Sequence, residues 1–156
     1  MLYDQFLERF DKFNKIVKLI DTALHGRCEV RTLKGNDDDI MKVKFWYNPS
    51  SNEDDNCMLT LMLEENCIRC WYDHITDTNS ERVKNFFLSR CVKLTDLWNS
   101  KHIEIDYDNF EEKIKEATNS INYLIDLWEE GNNIREKMQK QLDIALSKYI
   151  FELNKD

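Results

Sequence analysis

Residues 67–74 read CIRCWYDH, two cysteines three apart with a histidine four further on, the residue types from which zinc sites and redox dithiols are assembled. In an extended chain the odd spacing sends Cys67 and Cys70 to opposite faces. Cys70 and His74 share a face, but at ~3.3 Å per residue they stand about 13 Å apart, whereas zinc holds its ligands within about 2.3 Å. A redox dithiol sits at a helix N-terminus, and the residues after Cys70 stay strand-like. The stretch therefore reads as a strand, with Cys70 a small core residue and Cys67 a thiol at a turn.

The remaining candidates for chemistry also have structural readings. Gly26, Gly35 and Gly131 are the only glycines, too few for a phosphate-cradling loop or a dinucleotide fingerprint. No serine lies in a glycine-flanked nucleophile turn, and no two histidines have metalloprotease spacing. Cys91 falls on the inward side of an expected helix. His25 and His102 fall at expected helix ends, where positive charge complements the helix dipole. NDDDI (36–40) lacks the spaced oxygens and the turn glycine of a calcium loop. No catalytic residue, metal ligand or cofactor is assigned, and nothing points to an enzyme.

The elements that would position any site follow from periodicity. Tyr3, Phe6, Phe10, Phe13, Val17, Ile20 and Leu24 form one seam of a helix over 2–25, with Gly26 at the left-handed position past its end. From Cys28 the period changes to two, giving strands 28–34, 40–47, 57–63 and 67–74. A first turn at Gly35 to Asp38 sets Val30 against Val43 and Thr32 against Met41. A second at 48–56 sets Phe45 against Leu59 and Val43 against Leu61. A third at Glu65-Asn66 sets Leu63 against Ile68, Leu61 against Cys70 and Leu59 against Tyr72. All three registers share one apolar face.

Thr78 and Glu81 read as a capping box opening a helix over 79–100. Two more helices follow over 106–153, broken at Gly131 in EEGNN and paired as a hairpin. The expected fold is thus α+β in one domain: a long helix, a four-stranded antiparallel meander, then three helices. Four strands make a sheet barely wide enough for two helices, so the others either wrap the second face or project toward a partner.

Composition narrows the function classes. The 156 residues are 42% hydrophobic and 33% charged, with 30 acids against 22 bases and a net charge of −8. Residues 1–27 carry +1, 28–77 carry −6, 78–104 carry +2 and 105–156 carry −5. Bulk binding to nucleic acid or to an anionic membrane is disfavoured, and attraction to a basic protein surface is favoured. No apolar run approaches the ~20 residues of a membrane span. The opening MLYDQFLERF has acids where a signal peptide is basic, so a cytoplasmic protein with reduced thiols is expected.

Two surfaces are candidate contact sites. The acids Asp37, Asp38 and Asp39 and the acids Glu53, Asp54 and Asp55 occupy turns at opposite ends of the meander, either as solvated turns or as a rim steering a basic partner. The sheet face opposite the core gathers Arg31, Lys42, Lys44, Trp46, Met58, Met62, Arg69 and Trp71. The leading expectation is a non-enzymatic, acidic inhibitor or neutraliser of a basic nucleic-acid-handling protein, a profile shared with phage anti-defence and immunity proteins. The alternatives are a nucleic-acid binder using Trp46 and Trp71, and a small-ligand binder or enzyme with its site between helices and sheet. The helical seams leave a homodimer open.

Overall fold

In the computed structural model the described residues are 3–35, 39–47, 57–89, 97–105 and 110–155. They form α1 (Tyr3–Ala23), β1 (Glu29–Lys34), β2 (Met41–Trp46), β3 (Cys57–Leu63), β4 (Ile68–Ile75), α2 (Ser80–Ser89), β5 (Trp98–Ile105) and α3 (Phe110–Leu153). The mixed α+β class and the antiparallel meander agree with the sequence reading, but the sheet has five strands in the order β1-β2-β3-β4-β5.

The second and third registers stand as expected, with Phe45 opposite Leu59, Val43 opposite Leu61 and Leu61 opposite Cys70. The first is two residues out: Thr32 faces Val43 and Val30 faces Phe45. The turn is displaced by one residue along the chain, closing with the Gly35 amide donating to the Ile40 carbonyl at 3.2 Å. A shift of two preserves the face, so the apolar side survives the error.

Three helical expectations need correction. The helix over 79–100 is shorter: α2 ends at Ser89, and Trp98–Ile105 pairs with β4 as the fifth strand. Cys91 and Leu94 lie outside the described residues. The alternation of Ile103 and Ile105 with Glu104 was the strand signal, overrun by the helical rhythm preceding it. The cap of α2 is Asn79, whose Oδ1 accepts from the Arg82 amide at 3.2 Å, and not Thr78. Finally, α1 closes two residues earlier than expected, at Ala23, and His25 itself takes a left-handed φ of 56° with Gly26 following at 65°. The Gly26 amide reaches the Asp21 carbonyl and the His25 amide that of Thr22, the pairing of a Schellman end.

The hairpin is the largest correction. Residues 110–153 form one continuous helix of 44 residues, running straight through Gly131. Glycine costs a helix interior about 1 kcal/mol, which burial can override. Here Gly131 is buried, and a Cβ built on it would lie 2.9 Å from the Cβ of Phe87 on α2. The missing side chain lets α2 sit close against α3.

The core lies between one sheet face and two helices. Phe13, Ile16 and Ile20 of α1, Leu24 just past it, and Ile114, Ala117, Ile121 and Leu124 of α3 pack with Val43, Phe45, Leu59, Leu61, Leu63, Cys70 and Tyr72. The aromatic rings of Phe86, Phe87, Trp98 and Trp128 close one end, with Phe87 and Trp128 edge to face at 4.7 Å. Gly131→Ala should therefore destabilise the fold by about 1–3 kcal/mol in urea unfolding, although alanine is the better helix former. A neutral or stabilising result would show that the α2–α3 approach is not tight.

Candidate functional site

The opening motif resolves as the spacing argument requires. Cys70 is fully buried, and burial pushes its thiol up to about 12, far from a reactive thiolate. Cys67 sits at the β3–β4 turn, donating to Glu64 Oε2 at 3.4 Å and accepting from Arg69 Nε at 3.4 Å. Burial also raises this thiol. Among the described residues no three His, Cys, Asp or Glu side chains converge as metal ligands.

Of the acidic candidates, Asp37, Asp38, Glu53, Asp54 and Asp55 lie outside the described residues. Asp39 is described, and its carboxylate is largely buried in an ion pair with Lys42 at 3.2 Å. It is a turn contact, already neutralised locally.

The sheet face opposite the core gathers its expected residues except Met58, which lies beside the bulge at Phe45/Trp46 and packs in the core cluster, and it withdraws most of the others from solvent. The core helices pack on the other face. Arg31 lies 4.9 Å from the centre of the Trp46 ring and Lys44 lies 5.9 Å from it, so cationic stems roof the indole. Trp46, Met58 and Met62 are buried. The bulge between Phe45 and Trp46 sets Trp46 opposite Cys57. Arg69 is drawn to Glu64 at 3.0 Å. Trp71 alone among the face's tryptophans stays open, 46% exposed and tilted against His102 at 4.7 Å, which places His102 in a strand and not at a helix end. A platform of two stacking tryptophans is not formed.

The helical stretch that the sequence left free to project toward a partner is the second half of α3. The last residue of this helix buried against the body is Gly131. Beyond it, Met138, Leu142, Ile144, Leu146, Tyr149, Ile150, Phe151 and Leu153 are each between 48% and 68% exposed. At 1.5 Å per residue the stretch from 136 to 153 extends about 27 Å. At 100° per residue, Met138, Leu142, Ala145, Leu146, Tyr149, Ile150 and Leu153 share one broad stripe, while Ile144 and Phe151 fall on the opposite side. This arm, residues 132–155, carries five bases and three acids; residues 1–131 carry seventeen and twenty-six. No helix of the described residues is long and apolar enough to cross a membrane.

The root of the arm is held by a polar clamp. Arg27, just past α1, meets Asp126 at 2.7 Å and Glu129 at 3.3 Å, and the Tyr47 hydroxyl donates to Glu129 at 2.8 Å. Asn122 Nδ2 donates to the Ala23 carbonyl at 2.9 Å, capping the end of α1 from α3. A cleft of about 140 Å³ between α1 and the β3–β4 turn, lined by Arg9, Lys12, Asn66, Cys67 and Glu104, falls below the roughly 300–1,000 Å³ of small-molecule pockets. Compared with family models, curated proteins and solved structures, the chain matches none.

One titrating group on the sheet is unusual. Asp73 on β4 stands opposite Ser100, half-buried, and desolvation pushes its carboxyl up from 3.8 to about 7. A raised carboxyl pKa means that ionisation costs the folded state more than the unfolded one. Stability is therefore lost as pH rises from about 4 to about 7, and the full cost persists above that. Asp73→Asn should raise stability by about 2–4 kcal/mol at pH 8 and leave it nearly unchanged at pH 4, measured by urea unfolding at both. Equal effects at the two pH values would refute the buried-acid assignment.

Proposed function

We propose that this chain is a non-enzymatic protein-binding module and that the free arm of α3 is its contact element. The observation carrying the reading is the row of six large apolar side chains, Met138, Leu142, Leu146, Tyr149, Ile150 and Leu153, each about half or more exposed along one side of the arm. Scattered apolar residues are ordinary on a surface; a contiguous stripe along some five helical turns is an interaction site. An amphipathic helix read at three- and four-residue steps is a recurring way to dock on another protein.

Two features favour a protein over a lipid surface. Interfacial helices keep one clean polar face, whereas Ile144 and Phe151 interrupt the polar side of the arm. The arm's net charge is only +2, and residues 1–131, at −9, would repel an anionic bilayer. The same acidic surplus would steer a basic partner, such as a nucleic-acid-handling enzyme, toward the body by long-range attraction.

The reading is tested with Leu142→Asp/Tyr149→Asp in the full chain. Both positions are exposed, so thermal stability should be unchanged. Capture of proteins from a nuclease-treated lysate should fall at least about tenfold, since a buried charge in an interface costs several kcal/mol. Capture unchanged by these substitutions would remove the arm from the contact.

A further inference from the structure

We infer that the arm pairs with the arm of a second copy of this chain in antiparallel orientation, an inference that rests on the arm being a protein-contact element. Met138, Leu142, Ala145 and Tyr149 follow the four-three-four rhythm of a coiled-coil seam. One further step of three in each direction reaches Arg135 and Glu152. Placing a two-fold axis between Asp143 and Ile144 makes the seam complementary to itself. Leu142 meets Ala145 of the second copy, large against small, and Met138 meets its Tyr149, a sulfur against an aromatic ring. Arg135 meets its Glu152 at both ends, closing the stripe with two ion pairs.

Parallel pairing fails the same test. It sets Arg135 against Arg135 and Glu152 against Glu152, and like charges in register are destabilising. In the antiparallel arrangement the flanking positions bring Gln139 beside Leu146 and Gln141 beside Lys148, with no like charges opposed. Arg135 is half-buried and already has a contact within its own chain. Its guanidinium has five donors, enough to serve a second carboxylate.

Reach and area also fit. With the axis at that point, Leu153 of the second copy lies beside Ile134, near Gly131, where the arm leaves the body, so the overhang is used along its whole length. Six half-exposed large side chains of the stripe offer on the order of 100 Å² each. Two copies together then remove on the order of 1,000 Å², the size at which interfaces become specific. The pair leaves Ile144 and Phe151 open and holds two acidic bodies at opposite ends, a bivalent arrangement for a basic partner.

Sedimentation of the full chain over a wide concentration range tests the inference. The wild type should show a monomer–dimer equilibrium, Leu142→Asp should be monomeric, and Glu152→Arg should weaken the dimer at least about tenfold. Arg135→Glu/Glu152→Arg should restore it. A nitroxide-bearing unnatural residue at Asn154 gives an independent readout if that double variant fails to fold. Antiparallel arms hold the two labels about 30 Å apart, and parallel arms bring them side by side. Monomeric wild type at every concentration overturns the second copy as occupant. If its arm still captures another protein, the protein-binding reading survives; if it captures nothing, both fall. A dimer indifferent to Glu152→Arg, or with labels side by side, overturns the antiparallel orientation.

Discussion

The width of one sheet face governs the rest of this molecule. Five strands ~4.8 Å apart present about 20 Å of apolar surface, room for two helices packed ~10 Å apart. α1 lies over β3 and the first half of α3 over β4 and β5, which fills the available space. The edge strand β1 stays largely uncovered, with Val30 and Leu33 exposed. α2 has no sheet left to cover and packs on α3, where Gly131 admits Phe87. Past that contact the described residues offer α3 no surface that buries its apolar side chains, which stay exposed.

The polar clamp turns this packing into a defined geometry. Hydrophobic contacts between helices and sheet are tolerant of small slides, whereas Arg27 bridging Asp126 and Glu129 fixes the end of α1 against one turn of α3. Tyr47, just past β2, joins through Glu129, so sheet, first helix and arm root meet at a single carboxylate. The direction in which the arm leaves the body is set there.

Much of the architecture was legible in order of amino acids. The period-two runs located β1 to β4, and cross-strand agreement of apolar faces fixed two of three registers. β5 was missed because Leu97 and Trp98 continue the spacing of the helix before them, and only pairing with β4 reveals the strand. Of the candidate site, the sharing of one face by Trp46, Met62, Arg69 and Trp71 was readable from parity alone. Their accessibility was not, since Trp46 is roofed by Arg31 of the neighbouring strand as well as by Lys44 of its own.

The sequence by itself determined the class of fold, the facing of β1 to β4, the core position of Cys70 and the acidic bias of the body. These follow from local periodicity, spacing and charge, which need no knowledge of what packs where. Only the tertiary structure decided that Gly131 joins two helical seams instead of breaking them, because a glycine is a stop in isolation and a close-contact point beneath Phe87. Only it decided, too, which apolar stripe is core and which is surface. Ile114 to Leu124 and Met138 to Leu153 carry the same helical rhythm, and the difference lies in whether a sheet is within reach to bury them.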